Sequence, residues 1–308
     1  MKMWYLFFLA AFLPIVPTVA EVVESVSDCD QFLLEAKPPH VPRILESGNI
    51  LNQNRYKFIC QTLEDEKMFL TLYDTKNRIP VYSALKYRGS KDTGRQKTPW
   101  KIEPQLENKN DKNKNMLDVD RDRTYNNQAG YKDYKDRSFT RGHLIANSYG
   151  FSKSVKMSTF TLTNIVPQEE TFNGGSWNRM EQCIKCVMDK YCTNKEGVTE
   201  AYVVTGAQPS TTNILNNRVN IPSKLWSAFC CFSKKKKWIA GAYWGDNVPD
   251  EPKHKYLHTI TLEKLQEELK IVAFPETQCP LQTTISKFYK NQAKDCQCQR
   301  TTTSSPPT

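Results

Sequence analysis

Ten cysteines between Cys29 and Cys298 constrain this 308-residue chain more than any other feature. An even number of thiols in a chain exported to an oxidising compartment reads as a disulfide framework. The N-terminus supplies the export route. Lys2 is followed by an apolar run from Met3 to Val16 and by Thr18-Val19-Ala20, so residues 1–20 read as a secretory signal peptide. Pro14 and Pro17 break the run short of the ~20 apolar residues a membrane span needs, and no later segment is apolar for long enough. A secreted, extracellular protein with no stable membrane insertion after signal removal is expected. Cys183-x-x-Cys186, Cys230-Cys231 and Cys296-x-Cys298 also match spacings found in zinc sites, a reading the oxidising route argues against. Cys29 is expected to pair with Cys60. The paired and adjacent cysteines are expected to find distant partners, with connectivity open.

Residues 21–290 read as one α+β domain, followed over 291–308 by a Cys-containing, Thr/Ser/Pro-rich tail. Strand-like runs over 56–60, 68–73 and 81–87 predict a sheet, the last two joined by a polar turn. Residues 201–206, 228–232 and 238–244 add three more, with the four lysines of 234–237 at a charged turn. Thr261 is expected to cap a helix over 262–270. Residues 108–123 are nearly without apolar side chains and predict a solvated loop or disordered insert. The net charge of +10 favours polyanionic partners.

The candidate site lies between Thr140 and Glu181. In Thr140-Arg141-Gly142-His143, Gly142 lets the backbone turn so that the flanking side chains converge. Thr163-Asn164-Ile165-Val166-Pro167-Gln168 follows, then Asn173 and a Gly-Gly turn with Ser176 expected as a helix N-cap. Trp177, Met180, Ile184, Val187 and Met188 repeat at helical spacing and are expected to pack on the sheet. Asn173 then stands at the helix entrance, with Glu181 about two turns on.

Phosphodiester hydrolysis needs a deprotonated water, charge stabilisation on the phosphoryl oxygens and help for the departing sugar oxygen. His143 suits the proton acceptor, and Arg141 offers several donors to phosphate. Asn173 suits a hard cation, Mg²⁺ or Mn²⁺, that keeps several waters. Glu181 can hold such waters, and Asn164 can bond phosphate or help to place them. Arg95 and Lys97, beside Trp100, are candidates to bind the nucleic-acid backbone. His254 and His258 are four apart but sit in a strand-like run with no acidic ligand to complete a metal set.

These motifs resemble the DNA/RNA non-specific endonuclease family of ββα-metal nucleases, whose pattern runs Asp-Arg-Gly-His, Ser-Asn-x-x-Pro-Gln, Asn, Trp and Leu-Glu. Leu72-Tyr73-Asp74, Arg78-Ile-Pro-Val-Tyr-Ser83 and Trp100-Lys-Ile-Glu-Pro-Gln-Leu106 are similar to the vertebrate endonuclease domain-containing 1-like branch. The resemblance implies an α+β fold with a central antiparallel sheet flanked by helices. It also implies a metal-dependent endonuclease acting on DNA and RNA with low sequence specificity. In that family's terms His143 is the general base, Asn173 the Mg²⁺ ligand, Arg141 a phosphate contact, and Asn164 and Glu181 active-site support. Two positions depart from the pattern. Thr140 stands where the family has aspartate, and Thr98-Pro99 precede Trp100 where some relatives have arginine. The rival reading is a catalytically weak or inactive secreted member of the fold that binds nucleic acid or protein.

Overall fold

The computed structural model describes residues 22–23, 25–91, 94, 96–135, 139–251, 256–285, 296 and 298. The signal-peptide segment, the 301–308 stretch, Arg95 and His254 lie outside the described residues. In chain order, the strands that build the core and the site are β1 (Val22–Val23), β2 (Tyr56–Leu63), β3 (Glu66–Asp74), β4 (Ile79–Tyr87), β5 (Thr140–His143), β6 (Ile165–Gln168), β7 (Ala201–Gln208), β8 (Lys224–Phe232), β9 (Trp238–Asp246) and β10 (Thr259–Ile260). The helices used below are α1 (Lys153–Ser158), α2 (Asn178–Tyr191) and α3 (Leu262–Leu269).

Eight strands form one antiparallel sheet in the order β1-β2-β3-β4-β7-β8-β9-β10. Strand period 2 divides its side chains between two cores. On the far face Phe58, Leu70, Leu72, Tyr82, Trp226 and Ala240 pack against the N-terminal segment and α3. On the near face Phe69, Leu85, Val203, Phe229 and Tyr243 pack against α2 and the β5–β6 ribbon. The near face also buries a polar row: Gln61 Nε2 donates to Thr71 Oγ1 (3.1 Å), Thr71 bonds Ser83 (2.9 Å), and Thr205 bonds Ser227 (2.9 Å). Gln61 Nε2 reaches out of the sheet to Thr163 Oγ1 (2.8 Å), which fastens the ribbon to it.

All ten cysteines are in disulfides. Cys29 pairs with Cys60 as expected, and the remaining bonds are Cys183–Cys298, Cys186–Cys296, Cys192–Cys231 and Cys230–Cys279. Two of them tie the C-terminal Cys296 and Cys298 to α2. No described helix is long and apolar enough to cross a membrane.

Residues 108–123 are more firmly held than their composition suggests. Met116 is buried and its N–H bonds the Thr62 carbonyl (2.9 Å), while Leu117–Asp118 pairs with Lys101–Ile102. Asn115 grips Asp65 at the β2–β3 turn through two bonds of 2.8 and 2.7 Å. One apolar anchor and a few Asn/Asp turns order a segment that composition alone reads as solvent.

Candidate active site

β5 and β6 pair antiparallel with His143 opposite Ile165, Gly142 opposite Val166, Arg141 opposite Pro167 and Thr140 opposite Gln168. The ribbon closes on itself because position 142 has no side chain. A Cβ there would lie 2.0 Å from Gln168 Oε1, and Gln168 is fully buried beneath it. The ribbon and α2 border a cleft of about 570 Å³ whose walls include Arg141, His143, Asn173 and Glu181.

The imidazole of His143 belongs to a three-ring cluster, 5.4 Å from Trp100 and edge-on to Phe160 at 5.1 Å between centroids, with Trp100 and Phe160 themselves 5.3 Å apart. Arg141 is held by aromatics, its guanidinium 4.8 Å from the Tyr131 ring centre, 5.1 Å from Tyr134 and 5.5 Å from Trp100. Such cation–π contacts stabilise the charge without using up its N–H donors. Nη2 donates to the Tyr131 carbonyl at 3.5 Å, and Nε is buried with no acceptor among the described residues. Burial lowers the Arg141 pKa, with Tyr134 and Tyr131 opposing; from a starting value this high the group stays cationic at neutral pH.

Asn173 is oriented by Thr140. Thr140 Oγ1 donates to the Gln168 carbonyl (2.9 Å), so it can only accept from Asn173, whose Nδ2 lies 2.9 Å away. The bond turns the amide's NH₂ toward Thr140 and so its oxygen away from it.

The helix entrance differs from expectation. Ser176 is not an N-cap: its N–H and hydroxyl both bond Asp250 (2.7 and 2.6 Å) within a π turn over Asn173–Trp177. The capping carboxylate is Glu169, accepting from Phe172 N at 2.8 Å at the start of a preceding helical turn. Gly175 allows this, since a Cβ there would sit 2.3 Å from Asp250 Oδ2. Wide turns of this kind recur at functional sites because they re-aim the residues at their start, here Asn173. Trp177, Met180, Ile184, Val187 and Met188 are buried as the periodicity predicts.

Asn164 does not reach the cleft. Fully buried, it accepts from Ile145 N (3.0 Å) and donates to the carbonyls of Ile145 and Thr159 (both 3.1 Å). It bonds the backbone that leaves His143 on one side and Thr159 on the other. Lys97 is exposed and is not among the cleft residues. His258 likewise lies outside the cleft. Sequence reading passed over Asn178, Gln182 and Lys185, which line the cleft with Glu181. Their spacing of three, four and seven marks one helix face opposite the apolar stripe, a signal present in the sequence. Asn147 and Lys156, also in the wall, carried no such signal.

The model of the family described as DNA/RNA non-specific endonuclease matches residues 47–272. The chain belongs to that family. Among curated relatives, the Endonuclease domain-containing 1 protein of Homo sapiens is 31% identical over 72% of this chain and 42% of its own length. Its Mus musculus counterpart is 28% identical over 70% and 40%. The mitochondrial nuclease EXOG of Xenopus laevis is 27% identical over 48% and 44%. This non-specific endonuclease family member therefore spans less than half the length of the curated relatives it matches. A chain of the crystal structure of the EndoG/EndoGI complex superposes with a TM-score of 0.47 at 19% identity, covering 70% of this chain and 87% of that one.

Proposed function

We propose that the chain is a secreted, metal-dependent endonuclease that hydrolyses phosphodiester bonds in DNA and RNA with low sequence specificity. The observation that carries this reading is the convergence of Arg141, His143, Asn173 and Glu181 on one cleft within a chain of this family. The disulfide framework supports export.

The donor set fits a hard cation that keeps most of its waters. Among the described residues no group of three His, Cys, Asp or Glu forms a cage, whereas the oriented amide oxygen of Asn173 and the nearby Glu181 carboxylate are oxygen donors suited to Mg²⁺. Asn173 would hold the ion and Glu181 its waters. When bound, such an ion stabilises charge on the phosphoryl and leaving oxygens. His143, packed against Trp100 and Phe160, takes the proton of the attacking water. Arg141 binds the phosphate through the N–H groups its aromatic surround leaves open, and Asn164 keeps His143 in register. The Thr140 hydroxyl orients Asn173 where the family has aspartate, which speaks for an enzyme over an inert binding protein.

The test is cleavage of supercoiled plasmid and single-stranded RNA with Mg²⁺ or chelator, beside His143→Ala. Metal-dependent cutting that falls by ~10²–10⁴ in the variant, with folding and binding intact, is expected. Equal cutting by His143→Ala removes the assigned base.

A further inference from the structure

We propose that Arg121 is a substrate-binding residue that holds the phosphate next to the scissile one, an inference that rests on the nuclease reading above. Its starting point is one ring shared by two guanidiniums. Arg141 lies 4.8 Å from the Tyr131 ring centre and Arg121 5.1 Å from it, so the two cations are within about 10 Å of each other. Arg141 lines the cleft, whereas Arg121 is exposed and is not among the cleft residues. Arg121 therefore stands just beyond the Arg141 end of the cleft, where a strand held at Arg141 can place a neighbouring phosphate. Two like charges this close repel, most strongly at low salt. A phosphodiester backbone laid against both relieves that repulsion.

The site itself fixes where Arg121 stands. Trp100, the ring that packs beside both His143 and Arg141, accepts at its carbonyl from Val119 N (2.8 Å), two residues before Arg121. Asp120 N then donates to the Tyr125 hydroxyl (3.1 Å), and the Lys132 ammonium donates to the Asp122 carbonyl. The backbone is thus tied on both sides of Arg121, and the segment is anchored on a residue that touches the base. This is preorganisation a solvent-averaged surface arginine lacks.

The charge of Arg121 is also left for a ligand. Asp120 and Asp122 flank it in the chain, but the Asp120 carboxylate accepts from Asp122 N (2.9 Å), and no described carboxylate or carbonyl engages the Arg121 guanidinium. Arg55 and Arg218 differ, each bonded to a buried aspartate, Asp74 or Asp133. Stacking on Tyr131 leaves the forked N–H donors of Arg121 open to phosphate. Arg121 thereby fills the role for which sequence offered Arg95 and Lys97: a backbone contact beside Arg141.

The experiment measures duplex binding by the His143→Ala protein between about 50 and 200 mM salt, with and without Arg121→Gln, beside Arg43→Gln as control. Arg43 is likewise exposed but lies between Val41 and Leu45 of the far-face core. Arg121→Gln is expected to make the log–log salt slope shallower by ~0.9, one phosphate contact, and Arg43→Gln to leave it at the parent value. In the cleaving protein Arg121→Gln should raise KM roughly fivefold with kcat held, and Arg121→Lys, which keeps the charge, should keep the slope. An unchanged slope in Arg121→Gln overturns the assignment, as does an equal loss in Arg43→Gln, which would trace the slope to net charge. A fall in kcat with KM unchanged overturns it too, by placing Arg121 in the chemical step. A chain that binds with an Arg121-dependent slope but never cleaves keeps the phosphate contact and removes the nuclease reading. Cleavage with an unchanged slope does the reverse, and absence of nucleic-acid binding removes both.

Discussion

Both faces of the central sheet bury apolar cores, but among the described residues only the near one adds a buried hydrogen-bonded row. The far face is apolar from Phe58 to Ala242, crossed by the Cys29–Cys60 and Cys230–Cys279 bonds, and nothing on it needs a specific direction. The near face buries Gln61, Thr71, Ser83, Thr205 and Ser227 and bonds through Gln61 to Thr163, one residue before Asn164. Apolar burial is strong but non-directional; a hydrogen-bonded row adds less net stability but fixes register. The site sits on the face that adds directional bonds to its apolar burial. Substitutions on the far face should therefore change stability without changing chemistry, and those on the near face should increasingly do the reverse.

Trp226→Ala is the largest expected effect. Trp226 is fully buried on the far face, and removing such a ring typically costs ~3–5 kcal/mol. Chemical denaturation should show that loss while cleavage per folded molecule stays at the parent level. A fall in kcat would mean the faces are not separable. Next is Glu103, buried beside the near-side core. Burial pushes its carboxyl from 4.5 up to about 8, with the Gln105 N–H opposing and Asp111 adding to the rise. The folded protein holds this proton more tightly than the unfolded chain, so the contribution is full below pH 4.5 and is lost as pH rises through about 8. The slope approaches ~1.4 kcal/mol per pH unit within that window. Glu103→Gln should flatten the stability–pH curve there, and an equally steep curve in the variant would assign the slope elsewhere.

The same division explains what was legible in the sequence. The strands, the buried stripe Trp177 to Met188 and the convergence of Arg141, His143, Asn173 and Glu181 follow from periodicity and motif spacing, because hairpin register carries spacing directly into space. The placement of Asn164 was not legible: an asparagine in a motif reads alike whether its amide faces a cleft or three backbone groups. Lys156 was invisible for a related reason, since α1 is too short to show a face and burial is a tertiary property. Ser176 was misread as a cap because Asp250, distant in sequence, takes its bonds. Of the disulfides, the Cys29–Cys60 pairing was expected and the other four required the fold.

The smallest expected effect on stability falls on Thr140, and it is the most diagnostic of the near face. Thr140 is partly exposed, so in Thr140→Val Asn173 Nδ2 can turn to water, but the carbonyl of the fully buried Gln168 loses a donor, and stability should fall by about 1–3 kcal/mol. Cleavage is another matter. Without an oxygen that donates to Gln168 and accepts from Asn173, nothing fixes which end of the Asn173 amide faces the cleft. We expect kcat/KM to fall about tenfold, or ~1.4 kcal/mol in the barrier, with the Mg²⁺ concentration for half-maximal activity raised. Thr140→Ser, which keeps the hydroxyl, should restore both. If Thr140→Val instead lowers stability as Trp226→Ala does and leaves metal dependence untouched, the hydroxyl is an ordinary structural bond. The near face would then position Asn173 by backbone alone.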